Sequence, residues 1–315
     1  MTQQEKLSNK KVSEDTAIRS WRVTMKLDRR HFLKAAGVLS IGAHRVWATP
    51  AASSDKDTES ISTIRVAQVK VYPLKGKMDE NHKTLMDILK DVEAGEKVDV
   101  VVTPEGFLDG YVSTEKSVTK QDMIRYAIDP LESQYALAVS QWARRNKTWV
   151  IFGCTRKAAD GVFNTALIYN RAGVLVGMYD KLHLQTHDHK YTRGKHLDVY
   201  DSDFGPFGVM ICADRRWPET ARTLTLKGAR VVFNPTYGMH GELNLCMMRT
   251  RSYENGIYIV FTHPGQSLIT DPKGAVACNN EDNDQTYTVT QIDLAKAPAN
   301  KGGHIMDRRP DVYKL

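Results

Sequence analysis

The sequence predicts an α/β fold, a layered sandwich with mixed sheets. Three observations carry that reading. Near-continuous β-branched runs, Val98 to Thr103 and Val231 to Asn234, have the pattern of strands buried on both faces. Through the first part of the chain such runs alternate with segments of helical period, the order expected of a sheet covered by helices. Later strands follow one another across short turns, which adds antiparallel pairs. No repeat of solenoid length is present, so a single folded domain accounts for the pattern.

The first strand is read at Ile64 to Val71, where apolar residues alternate. A helix opens at Asp79; Leu85, Ile88, Leu89 and Val92 follow the 3.6-residue period, and Gly95 closes it. Val98 to Thr103 is the next strand, and a helix fits Leu131 to Asn146. Strands follow at Trp149 to Thr155, Asn164 to Tyr169, Val174 to Tyr179 and Phe207 to Ile211. Trp217-Pro218-Glu219 then opens a helix ending at Gly228. Proline suits the first helical turn, because its missing N–H had no partner to lose. Val231 to Asn234 is a strand, Leu243 to Asn255 a helix and Ile257 to Thr262 a strand. A Pro272-Lys273-Gly274 turn joins two further strands, and Thr286 to Ile292 closes the set.

The 315 residues carry 44 Lys and Arg against 37 Asp and Glu, a formal net charge of +7. A basic balance is the footprint of phosphate binding, so its location matters. Residues 1–48 hold ten basic and four acidic side chains, leaving 34 against 33 in the rest. The near-neutral remainder argues against a nucleic-acid partner.

The basic segment reads instead as an export leader. Arg29-Arg30-His31-Phe32-Leu33-Lys34 precedes the apolar run Ala35 to Ala43, and Val46-Trp47-Ala48 has the small residues of a cleavage site. The arginine pair with its Phe-Leu-Lys resembles a bacterial twin-arginine signal, with Met25 an alternative start. The expected organisation is a signal peptide at 1–48, a flexible polar linker at 49–62 and one domain at 63–315. The expected location is the periplasm, reached through the twin-arginine export machinery. No run reaches the ~18 apolar residues of a membrane span, so no stable membrane insertion is expected. Cys154, Cys212, Cys246 and Cys278 are widely spaced without a CxxC pair, which favours core thiols over a disulfide framework.

Three polar residues follow buried strands: Glu105 after VDVVVTP, Lys181 after the strand ending at Tyr179, and Cys212 at the end of FGVMI. In α/β sheets, ligand sites gather at the carboxyl ends of strands. Singly, each has a plain reading as a loop acid, a strand terminator or an inert thiol. Together they supply an acyl-transfer set: a thiol before a helix N-terminus, where its pKa is expected to fall, an ammonium for the oxyanion and a carboxylate for proton transfer. The Ala213 backbone N–H is a second oxyanion donor.

Thr103-Pro104-Glu105-Gly106-Phe107, Tyr179-Asp180-Lys181-Leu182-His183-Leu184 and Ile211-Cys212-Ala213-Asp214-Arg215-Arg216-Trp217-Pro218-Glu219 resemble, in order, the three signature segments of the nitrilase superfamily of carbon–nitrogen hydrolases. Gly228 to Val232, Arg251 to Asn255 and Arg308 to Asp311 extend the resemblance over the chain from about Ile64. The resemblance implies an α-β-β-α sandwich that pairs with a second copy into a homodimer or higher oligomer. It implies Glu105 as general base and acid, Lys181 as oxyanion stabiliser and Cys212 as nucleophile, acting on a small amide, carbamoyl compound or nitrile. No metal and no organic cofactor is implied.

The resemblance departs at one point. Many members place a further glutamate between the lysine and cysteine segments, and here Gln185 to Gly194 contains none. Asp188 is the nearest carboxylate and a candidate for positioning substrate. The departure keeps open a second class of reading, a catalytically weak binding protein that retains the fold. His183, His187 and His189 in this stretch are the weak alternative of a metal site, and His263 is the weak alternative of a papain-like base. The segment Asp214 to Glu219 is similar to that of N-carbamoyl-D-amino acid amidohydrolases, in which arginines hold a substrate carboxylate. Arg215 and Arg216 are the candidates, since a guanidinium fork fits a carboxylate bidentately. Arg249 and Arg251 are expected in packing or at a dimer surface.

Overall fold

The computed structural model describes residues 61–282, 284–298 and 303–313; the signal peptide expected at 1–48 and all but the last two residues of the linker expected at 49–62 lie outside them. In chain order the strands are β1 (Thr63–Val69), β2 (Val100–Val102), β3 (Trp149–Ala158), β4 (Gly161–Tyr169), β5 (Leu175–Asp180) and β6 (Val199–Tyr200). They continue with β7 (Phe207–Val209), β8 (Val231–Pro235), β9 (Tyr258–His263), β10 (Gln266–Thr270), β11 (Val276–Asn280) and β12 (Tyr287–Asp293). The helices are α1 (Met78–Ala94), α2 (Gln134–Asn146), α3 (Pro218–Leu226), α4 (Glu242–Asn255) and the short α5 (Gly303–Met306).

The strands build two six-stranded sheets, ordered β12-β1-β2-β3-β4-β5 and β11-β10-β9-β8-β7-β6. Each has three parallel strands at its centre, β1-β2-β3 and β7-β8-β9, flanked by antiparallel ones, so both are mixed. Alternation along the strands decides what each face meets. Val66, Val102, Ile151 and Ile168 of the first sheet pack on Val209, Phe233 and Val260 of the second. The opposite face of the first sheet, with Val101, Val150 and Leu167, takes Leu89 of α1 and Val139 and Trp142 of α2. The outer face of the second sheet, with Val232 and Ile259, takes Leu224 of α3 and Met248 of α4. The result is four layers, α-β-β-α, as the resemblance implied. Each fully buried aliphatic or aromatic side chain contributes about 1.5–3 kcal/mol.

The expected elements are present with shifted ends. α2 begins at Gln134 rather than Leu131, because Asp129 captures the intervening N–H groups: Leu131 N–H on its side chain, Glu132 and Ser133 N–H on its carbonyl. β3 and β4 run past their apolar stretches to an Ala158–Gly161 turn. Backbone pairing carries that extension, helped by Arg156, which lies over Phe163 and pairs with Asp180 at 2.7 Å. The two-residue β6 was not expected, since nothing in its composition sets it apart. No described helix is long and apolar enough to cross a membrane.

Candidate active site

Parallel β1, β2 and β3 share a direction, and β5, two antiparallel steps beyond β3, shares it too. The carboxyl ends of β2 and β5 therefore open at one end of the first sheet, facing the segments that follow β7 and β8.

Glu105 lies in a turn, Thr103 to Gly110, in which every residue is buried. Thr103 Oγ1 accepts from Gly153 N–H at 2.8 Å, and Asp109 accepts from the Val112 and Thr155 N–H groups and the Thr155 hydroxyl at 2.9–3.1 Å. Burial pushes the Asp109 carboxyl up to about 6 against the pull of those donors. The turn presses so close to β3 that a Cβ on Gly153 would stand 2.3 Å from the Pro104 carbonyl oxygen. Glu105 Oε1 accepts from Lys181 Nζ at 2.7 Å and Asn164 Nδ2 at 2.8 Å, and Oε2 accepts from Tyr237 N–H at 3.1 Å.

Lys181 directly follows β5 and is buried. Its three donors go to Glu105 Oε1, to Asp188 Oδ2 at 2.6 Å and to the Tyr111 hydroxyl at 3.2 Å. Burial disfavours the ammonium, but Glu105, the Cys212 sulfur and Asp188 together outweigh it and hold its pKa above the ordinary value. Asp188 is fully buried, and its carboxylate also accepts from the Tyr111 hydroxyl at 2.5 Å and Gln185 N–H at 3.1 Å. The lysine thus has two carboxylates although the sequence offers one glutamate.

Cys212 opens a short 3₁₀ turn, Cys212–Arg216, with φ of 45°, a left-handed conformation strained for a residue with a Cβ. The helix expected to open at Trp217-Pro218-Glu219 does start at Pro218, with the 3₁₀ turn between it and the cysteine. The thiol pKa is raised, not lowered. Burial is the largest cause and Glu105 adds to it, while Lys181, Arg215 and the Gly238 N–H pull the other way. Consecutive residues of the loop after β8 join the parts, with Tyr237 N–H on Glu105 and Gly238 against the Cys212 sulfur.

The two arginines separate. Arg215 is buried, with Nε on Asn244 Oδ1 at 2.7 Å, Nη2 on the Met239 carbonyl at 2.5 Å and Nη1 on Cys212 Sγ at 3.5 Å. Arg216 is exposed and donates to Gln185 Oε1 at 2.8 Å. Arg251, expected in packing or at a dimer surface, clamps the Arg215 and Arg216 carbonyls at 3.2 Å. Arg249 donates to the Gly274 carbonyl at 2.8 Å.

Several supporting residues escaped the sequence reading. Tyr111, Asn164 and Tyr237 touch the central carboxylates but lie in three separate segments, with no local pattern to announce them. Asp214 is buried and ties the motif segments together, accepting from His183 N–H at 2.9 Å, the Tyr179 hydroxyl at 2.7 Å and Ile211 N–H at 2.9 Å. A buried acid two residues from the cysteine was the available signal. The histidines have other partners: His183 bonds Asp214 at 2.7 Å and stacks on Trp217, and His187 bonds the Tyr111 hydroxyl at 3.0 Å. Among the described residues no three or more such side chains group to hold a metal. His263 donates to the Tyr237 carbonyl and accepts from Gly265 N–H, so both ring nitrogens are taken by backbone. Its pKa is pushed down to about 4, by burial first and by His240 next.

Comparison with known proteins agrees with this architecture. The carbon–nitrogen hydrolase family model matches residues 63–300. A nitrilase of Pyrococcus abyssi is 29% identical over 272 residues, covering 79% of this chain and 99% of that one. An omega-amidase of Saccharomyces cerevisiae is 26% identical, covering 68% of this chain and 82% of its own. Among solved structures, a carbon–nitrogen hydrolase from Helicobacter pylori superposes with a TM-score of 0.69 at 20% identity, covering 80% of this chain and 97% of that one. The chain belongs to the carbon–nitrogen hydrolase family of the nitrilase superfamily.

Proposed function

We propose that the protein hydrolyses a small amide or N-carbamoyl compound through a thioester on Cys212, with Glu105 as base and acid and Lys181 at the oxyanion. The observation that carries this reading is the buried lysine held between Glu105 and Asp188 beside a strained cysteine. A carboxylate has about four lone-pair sites, and Glu105 uses three on protein donors, which leaves room for one proton. In the first half-reaction Glu105 takes the thiol proton as sulfur attacks the carbonyl carbon. The oxyanion faces Lys181 and the Ala213 N–H. The Tyr111 hydroxyl is the longest of the three Lys181 contacts, hence the one exchanged for the oxyanion. Collapse breaks the C–N bond, and Glu105 returns its proton to the departing ammonia or amine. Water, deprotonated by Glu105, then cleaves the thioester and restores the thiol.

The raised thiol pKa supports a base-assisted attack over a standing thiolate. Asp188 supports full competence, since it gives Lys181 the second carboxylate that the spacing lacked, which weighs against the inactive-binder reading. Arg216, whose guanidinium has donors to spare, is the candidate for a substrate carboxylate. A nitrile substrate is the alternative chemistry, favoured by the nitrilase relative. The proposal extends to a periplasmic location through twin-arginine export, on the charge order of residues 1–48. It extends to a homodimer or higher oligomer, supported by exposed Leu226, Leu243 and Tyr253 on α3 and α4.

The test is ammonia release over a panel of amides, N-carbamoyl amino acids and nitriles, with Cys212→Ala as control. Turnover of amides or carbamoyl compounds that vanishes in the control is expected. Turnover surviving in Cys212→Ala, or none on the panel, overturns the proposal.

A further inference from the structure

Arg215 presents an unusual electrostatic situation. Its guanidinium is buried, and among the described residues its hydrogen bonds go to an amide oxygen, a carbonyl oxygen and the Cys212 sulfur, with no carboxylate among them. A buried charge is costly unless an opposite charge or a full set of hydrogen bonds meets it. The face of Phe261, 5.3 Å from Cζ, offsets part of that cost. The remaining direction, along Nη1, ends on sulfur at 3.5 Å. The buried side chains of the site carry four carboxyl groups, Glu105, Asp109, Asp188 and Asp214, and two cations, Lys181 and Arg215. Lys181 contacts Glu105 and Asp188, Asp109 accepts from Val112 and Thr155, and Asp214 accepts from Tyr179, His183 and Ile211. None of the four bonds Arg215, so the counter-charge beside it is the one Cys212 acquires on losing its proton.

We infer that Arg215 is a second catalytic cation, which stabilises the Cys212 sulfur as it becomes anionic and does not receive a substrate carboxylate. With Asn244 and Met239 fixing two sides of the fork, the third is aimed before the reaction begins, and no reorganisation is needed as charge develops. The same fixing leaves the fork no free edge for a bidentate carboxylate. The inference deepens the hydrolase proposal and rests on it for the identity of the nucleophile. The titratable and charged groups that act on the sulfur are Glu105 and Tyr111 from the segment after β2, Lys181 after β5 and Arg215 from its own turn, with Gly238 N–H from the loop after β8.

The test is the pH dependence of alkylation of Cys212 by iodoacetamide, a neutral reagent, read by mass spectrometry on the Cys212 peptide of the full-length protein. Arg215→Gln keeps a donor and removes the charge. It is expected to move the alkylation midpoint upward by about one pH unit and slow the reaction near neutrality about tenfold. Arg215→Lys is expected to recover part of the shift. Asn244→Asp, which sets a carboxylate against the guanidinium and cancels its charge, is expected to shift the midpoint in the same direction and decides the matter if Arg215→Gln does not fold. An unchanged midpoint in the folded variant overturns the inference, even if melting temperature falls, because a merely structural arginine would lower stability alone. A shifted midpoint without ammonia release from any panel substrate leaves the Arg215–Cys212 coupling standing and removes the hydrolase proposal. The converse removes only the coupling.

Discussion

Asp188→Asn isolates the feature in which this site departs most from its sequence resemblance. The wild-type carboxylate accepts from Lys181 at 2.6 Å, Tyr111 at 2.5 Å and Gln185 N–H at 3.1 Å. An amide of the same shape keeps one acceptor and turns the other oxygen into a donor, which must face either the ammonium or the hydroxyl. One hydrogen bond to a charged group is lost, worth about 1.5–3 kcal/mol. At roughly 2–4 °C per kcal/mol for a domain of this size, the melting temperature is expected to fall by about 3–12 °C. The larger effect is on rate. Lys181 loses one of its two anionic anchors, and a displacement near 1 Å of a positioned group costs about 10²-fold. Ammonia-release kinetics are expected to show this in kcat with KM little changed, the signature of a contact strengthened in the transition state. Asp188→Glu is not expected to rescue, since an extra methylene in a fully buried position costs about 1–3 kcal/mol. Unchanged kcat in a folded Asp188→Asn variant would refute the assignment of Asp188 as the second anchor of Lys181.

Asp109 makes stability depend on pH. Its folded pKa near 6 lies above the unfolded value of 3.8, so the folded state holds the proton more tightly and stability falls as pH rises through that window. Urea titrations of wild type and Asp109→Asn at pH 4 and pH 7 should differ in their wild-type-minus-variant stability by about 2 kcal/mol, with wild type relatively weaker at pH 7. Gly153→Ala drives a methyl group to 2.3 Å from the Pro104 carbonyl and 3.0 Å from Gly106 N, both backbone of the Glu105 turn. Activity loss of about 10²-fold is expected, and a fully active variant would show that the turn yields without moving Glu105. Trp142→Ala, on the helical face remote from the site, should cost about 3–5 kcal/mol by denaturant titration while leaving Cys212 alkylation unchanged.

Local physics wrote much of this protein into its chain. Val100, Val101 and Val102 are buried on both sides, so their β-branched run announces a central strand, and the period of Leu85, Ile88, Leu89 and Val92 announces the helix that covers it. Glu105, Lys181 and Cys212 were legible because each lies within three residues of a strand's carboxyl end, where the backbone must leave the sheet. Charge partners were not legible in that way. Asp188 and Glu105 are 83 positions apart in the chain, yet both reach one ammonium; Asp188 lay in a stretch that looked deficient because a shorter side chain needs the fold to bring it near. Arg215 and Arg216 are adjacent and chemically identical, and only the curl of the 3₁₀ turn sends one into the core against sulfur and the other into solvent. The sequence by itself determined the layered α/β class, the order of the elements and the three candidate residues, because hydrophobic period and strand termination are local properties. Tertiary structure alone decided which charges meet, because electrostatic pairing depends on distance and burial, and neither is ordered along the chain.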